Sequence, residues 1–142
     1  CHPDCPHYLS SALRLDDATR SYTNKLYGQN SDAQFAATLA DASWYYFAGG
    51  AGVRMLSDPA VRPSCGTLYP GYLNSPHATM GDPPTSGQAC FTTGSACSAK
   101  TDIQLCACSY DNGASVTHLY KLPRPGAGEC ASGDPTSCRY AY

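Results

Sequence analysis

The chain has 142 residues, of which 42% are hydrophobic and 14% charged, with a formal net charge of −2. One domain with a modest core suits that length. The sparse, balanced charge excludes a Lys/Arg-rich nucleic-acid surface, and no apolar run approaches the roughly 18 residues that a spanning helix needs.

The cysteines are the strongest compositional feature: Cys1, Cys5, Cys65, Cys90, Cys97, Cys106, Cys108, Cys130 and Cys138. Nine thiols in so short a chain point to an oxidising compartment, where they become cross-links worth about 2–4 kcal/mol each. The predicted setting is therefore secreted or extracellular. The odd count leaves at least one cysteine without a partner in the chain, and the spacing alone does not fix the pairings.

In chain order, residues 1–14 form a Cys/Pro arm and residues 15–142 a single disulfide-stapled domain. Asp16 or Asp17 caps a first predicted helix with Tyr22, Leu26 and Tyr27 at helical spacing, and Gly28 ends it. Ser31 caps a second that carries Phe35, Ala36 and Leu39 on one face. Trp44 to Phe47 then reads as an aromatic strand, with Trp44 and Tyr46 on one face and Tyr45 and Phe47 on the other. Ala48 to Gly52 supplies a turn, and Val53 to Leu56 is predicted to return as the second strand of a hairpin.

Six prolines between residues 57 and 87 exclude a central strand or a helix there and predict an irregular excursion pinned at Cys65. Short strands follow at Ala89 to Phe91, Ile103 to Leu105 and Val116 to Leu122. The tail from Pro123 is again rich in Pro and Gly, held by Cys130 and Cys138. The fold class is thus a small disulfide-rich domain, mostly β, with short N-terminal helices and long Pro/Gly-rich loops.

Several motifs bear on chemistry. Cys1, His2, Cys5 and His7 are zinc-type ligands, but their spacing fits no closed site and the compartment is oxidising, so no metal and no cofactor is expected. In a strand, Cys106 and Cys108 face the same side and can pair with two separate partners. Asp111, Ser115 and His118 make no nucleophile signature, and Gly49-Gly50-Ala51-Gly52 lacks the Lys-Ser/Thr of a phosphate loop. No enzyme is expected. The aromatic strand offers Tyr45 and Tyr46 as partner contacts, with sugar stacking as one use. The end Cys138-Arg139-Tyr140-Ala141-Tyr142 alternates, so Tyr140 and Tyr142 could add to a neighbouring sheet edge.

From Trp44 onward the order of motifs resembles one family, the eight-cysteine domain of uromodulin and the pancreatic secretory granule membrane glycoprotein. The elements are WYYFAGGAGVRM (44–55), SCGTLYPGYLNSPH (64–77), ACF (89–91), IQLCAC (103–108) and the Cys130/Cys138 pair. Upstream, Leu15-Asp16-Asp17-Ala18-Thr19-Arg20-Ser21 is similar to the family's L-D-x-x-x-R-S. The resemblance covers about residues 15–138. It implies an extracellular, non-enzymatic module that, in uromodulin, hangs off a filament-forming glycoprotein and presents glycans to bacterial adhesins.

The departures matter. Family cysteines near Asp32, near Ser57 to Pro59 and beside Cys97 are absent, while Cys1, Cys5 and Cys106 are gained, so family pairings do not transfer. Asn74-Ser75-Pro76 and Tyr120-Lys121-Leu122-Pro123 stand where relatives carry glycan sites. No Asn-x-Ser/Thr sequon occurs anywhere. O-glycans on Pro83 to Ser86 or Thr92 to Ser95 remain compatible with composition. The expected function is a structural or adhesion module of a secreted filament, surface appendage or matrix, with copies of itself or another extracellular glycoprotein as partner. The alternative is a soluble lectin-like module that binds glycans or microbial surfaces.

Overall fold

The computed structural model describes residues 1–16, 20, 43–49, 53–58, 69–91, 97, 100–123 and 138–140, with the backbone alone at 69, 138 and 139. A short 3-10 turn, Leu9–Ser11, precedes seven strands among the described residues. They are β1 (Leu13–Leu15), β2 (Ser43–Phe47), β3 (Tyr69–Leu73), β4 (Thr85–Cys90), β5 (Lys100–Cys108), β6 (Thr117–Leu122) and β7 (Cys138–Tyr140). They form one sheet in the order β1-β2-β6-β5-β4-β3-β7. The middle of the sheet, β2-β6-β5-β4-β3, is antiparallel, while β1 and β7 add in parallel to β2 and β3. The domain is thus mostly β and disulfide-bonded. The two helices expected between Asp16 and Leu39 lie outside the described residues, except for Asp16 and Arg20.

Alternation along the strands builds two faces. Tyr45 and Phe47 of β2, Ile103 and Leu105 of β5, and Tyr120 and Leu122 of β6 turn to one side and form the main core with Leu15, Leu73, Ala89, Phe91 and Tyr140. Trp44 and Tyr46 turn to the other, as their spacing predicts, and pack against Cys5, Ala12, Cys106, Cys108 and Leu119. Edge-to-face pairs tie the main core together, Phe47 with Tyr120 at 5.5 Å and Phe91 with Tyr140 at 5.2 Å between ring centroids. Gly71 of β3 is required there, because a Cβ would run into the Phe91 ring.

Two expectations need correction. Val53 to Leu56 is not the second strand of a hairpin. Both edges of β2 are already paired, one with β1 and one with β6. The segment instead crosses the core face: buried Met55 donates its N–H to the Tyr120 hydroxyl at 3.0 Å, and the Leu56 carbonyl accepts from the Leu73 N–H at 2.7 Å.

The stretch 57–87 is also not wholly irregular, since it holds β3 and the start of β4. Pro70 is tolerated because β3 changes partner along its length. Tyr72 and Leu73 pair with β4, whereas Tyr69 to Gly71 pair with β7, so Pro70 lies outside the β4 ladder. The strands expected near Ala89 and Ile103 are present as β4 and β5 and are longer than their apolar cores suggest, and the one expected from Val116 is β6. The β5–β6 turn is set by Asp111, whose carboxylate accepts the Ser115 N–H at 2.9 Å, and by positive φ at Asn112 (55°) and Gly113 (87°).

Candidate functional site: the polar face of the sheet

The second face divides into two regions. At one end the N-terminal arm is fastened down by two bridges, Cys1–Cys108 and Cys5–Cys106. Cys106 and Cys108 therefore do take separate partners on one face. The Tyr110 hydroxyl adds a 2.6 Å bond to the Pro6 carbonyl. A third bridge, Cys90–Cys97, closes a short loop after β4. The sulfurs of Cys1, Cys5 and Cys108 lie within 4.8 Å of one another. Each is already engaged in a disulfide, which leaves no thiolate to ligate a metal.

The other end of this face is open and polar. Register places Trp44, Lys121, Gln104 and Ser86 in one row across β2, β6, β5 and β4. Neighbouring strands are about 4.8 Å apart, so the row runs for about 14 Å. A second row holds Gln88 opposite Asp102, with the Gln88 amide donating to the carboxylate at 3.4 Å. Ser86, Asp102, Gln104, Lys121 and Pro123 surround a concavity of about 580 Å³, with Gly87 and Ile103 in its floor. That volume is in the range of small-molecule sites, and the walls mix polar and apolar surface about equally. Asp102, Gln104 and Ser86 are exposed, and Lys121 and Trp44 half-buried.

A different polar cluster lies on the core side. His77 and His118 meet edge to face at 4.9 Å, with His77 Nε2 and His118 Nδ1 buried and unpartnered. Burial, then the neighbouring His118 and Arg54, pull the His77 pKa down from 6.5 to about 4. Burial and then Arg54 lower that of His118 in the same direction. Both rings are held neutral near pH 7. Among the described residues neither is oriented by a carboxylate or bonded to a hydroxyl or thiol, the geometry that nucleophilic catalysis uses. Sequence reasoning missed this pair, because its members come from a loop and a strand 41 positions apart.

Of the four tyrosines expected to contact a partner, Tyr45 and Tyr140 are 2% and 0% exposed and make internal contacts. Tyr140 donates its hydroxyl to the Pro123 carbonyl at 2.6 Å, and its own carbonyl accepts from the buried Arg20 guanidinium at 3.1 Å. Tyr46 is half-buried beside the arm, and Tyr142 lies outside the described residues. Of the nine cysteines, Cys65, Cys130 and the side chain of Cys138 also lie outside them.

Comparison with known families decides what this sheet belongs to. The uromodulin-like eight-cysteine domain matches residues 45–133, from the middle of β2 to just before β7. The chain belongs to the uromodulin-like eight-cysteine domain family. The pancreatic secretory granule membrane major glycoprotein GP2 of Homo sapiens is 32% identical over 123 residues, covering 86% of this chain and 20% of that protein. The Canis lupus familiaris protein of the same name is 30% identical over 118 residues, 82% of this chain and 21% of its own length. The chain therefore spans about a fifth of the length of the curated relatives it matches. The arm with Cys1 and Cys5 precedes the matched stretch, although its bridges end inside that stretch on β5. Among the described residues no helix is long and apolar enough to cross a membrane.

Proposed function

We propose that this uromodulin-like domain is a non-enzymatic extracellular module of a secreted glycoprotein assembly, in which it serves as a structural or adhesion unit joined to copies of itself or to another glycoprotein. The observation that carries the reading is the cysteine arithmetic. Among the described residues three bridges engage six of the nine cysteines and leave Cys65, Cys130 and Cys138, an odd number, so at least one of them has no partner within these 142 residues and is available to a neighbouring chain. The described sheet is open, with β1 and β7 outermost, and this supports it, because the outer edge of each strand is where a further strand can add. Tyr46 is the tyrosine this reading keeps as a partner contact. Native protein is alkylated and compared by size exclusion and intact mass with and without reductant. Species of higher mass that collapse on reduction are expected. A monomer with one alkylated thiol overturns the proposal.

The open polar face favours a second reading, a recognition module for glycans. An exposed sheet surface that combines amides, a carboxylate, a lysine and a half-buried tryptophan matches saccharides better than an apolar partner surface. A glycan array probed with the 142-residue chain tests this reading, and an array without hits removes it.

A further inference from the structure

We infer that the concavity on β4, β5 and β6 binds an acidic saccharide, one whose carboxylate pairs with Lys121 while its hydroxyls bond to Gln104, Asp102 and Ser86. This rests on the recognition reading and adds to it the chemical class of the ligand.

Lys121 carries the argument. It stands between Trp44 and Gln104 in the cross-strand row, half-buried, and no carboxylate lies within ion-pair distance of it among the described residues. Among the described residues that line the concavity, the acidic side chain is Asp102, which is diagonal to it in the register and accepts the Gln88 amide instead. The site thus offers a cation without a counter-ion beside an anion that can still accept a hydroxyl hydrogen. An ammonium with no counter-ion gains from an anionic ligand, because charge-assisted bonds are roughly twice as strong as neutral ones.

The rest of the lining selects for hydroxyls. Gln104 supplies both a donor and an acceptor, Ser86 a hydroxyl of either sense, and Asp102 acceptors alone. A fatty or aromatic ligand would leave these groups unpaired on binding, whereas a polyhydroxylated ring satisfies them. Trp44, next in the row after Lys121, is outside the lining of the concavity and packs on the arm side of the face. Gly87 lies behind the concavity: its neighbours on the core side, the Leu105 side chain and the Ser75 hydroxyl, leave no room for a Cβ, so glycine lets the core pack directly against β4 there.

The test is an amide-shift titration of the isotope-labelled, disulfide-intact 142-residue chain with two probes, sialyllactose and lactose. Shifts are expected at Ser86 to Gln88, Asp102 to Gln104 and Lys121, with affinity for the acid roughly tenfold higher and falling as salt is raised. Lys121→Gln removes the preference, bringing the affinity for the acid down to that for lactose. Gln104→Ala weakens both probes, and as both side chains lie outside the core the variants are checked for an unchanged spectrum elsewhere. Equal binding of the two probes, untouched by Lys121→Gln, overturns the acidic class and leaves glycan recognition standing. No shift with either probe overturns the site itself, and scattered shifts away from the concavity do the same.

Discussion

Removing the two bridges that fasten the arm to β5 gives a strongly non-additive result. Cys1–Cys108 and Cys5–Cys106 each join residues more than a hundred positions apart, with separations of 107 and 101. Taken alone, a loop of that size restricts the unfolded chain by about 4.7 kcal/mol. The two are nested, however. Once one is closed, the second closes only a small ring made of the residues from 1 to 5 and from 106 to 108, roughly eight in all, for which the same relation gives about 2.5 kcal/mol. Either single removal, Cys1→Ala with Cys108→Ala or Cys5→Ala with Cys106→Ala, is therefore expected to cost about 2.5 kcal/mol, and the fourfold variant about 7 kcal/mol. The interaction across the cycle is thus about 2 kcal/mol. Urea unfolding followed by tryptophan fluorescence measures it, and the fourfold variant should also show a larger m value as its unfolded state expands. If each single removal costs as much as a long loop alone, or the fourfold cost equals the sum of the two, the nested connectivity is wrong.

Acid weakens the fold through the histidine pair. Unfolded, these rings take a proton near 6.5, whereas His77 in the folded chain does so only at about 4, so stability falls as pH drops through that interval and levels off below it. Discounted for partial exposure, the loss is about 1–2 kcal/mol, and His77→Gln should flatten the profile measured by urea midpoints. The Asp111 carboxyl, held low first by the Ser115 hydroxyl, acts in the same sense at lower pH: its contribution is present above its ordinary value of 3.8 and is lost further into acid. Tyr120→Phe leaves the buried Met55 N–H without its acceptor and should cost about 1–3 kcal/mol, read by thermal unfolding. Gly71→Ala pushes a methyl group into the Phe91 ring and should cost about 1–3 kcal/mol. Phe91→Leu in the same chain should recover part of that loss.

How much of this was legible in the sequence follows from what each signal depends on. The two-sided aromatic strand was legible because alternation is local: Tyr45 and Phe47 enter the main core while Trp44 and Tyr46 pack under the arm. The same holds for Cys106 and Cys108, whose shared face follows from their alternate positions in one strand. Their partners did not follow, since nothing local links them to Cys1 and Cys5. The expected hairpin after Gly49 failed for a related reason. Proximity in sequence favours pairing, but the strands that flank β2 come from Leu13 to Leu15 and from Thr117 to Leu122, and no local pattern announces so distant a match. Pro70 misled because the rule against prolines in strands applies only where an N–H is needed, and β3 has exchanged β4 for β7 at that point. The open polar row was invisible for the same reason as the bridges. Trp44, Ser86, Gln104 and Lys121 are scattered through the chain and become neighbours only through the register.

Non-reducing tryptic mapping of the native protein by mass spectrometry tests the account most directly. Cleavage after Arg14, Lys100 and Lys121 isolates one peptide with Cys1 and Cys5 and another with Cys106 and Cys108. These two peptides are expected to run joined by two disulfides, with Cys90 linked to Cys97, and one of Cys65, Cys130 and Cys138 bonded to a peptide of a neighbouring chain. Free, alkylatable Cys1 and Cys5, or an unmodified odd cysteine in every molecule, would contradict a disulfide-fastened module joined covalently to its neighbour.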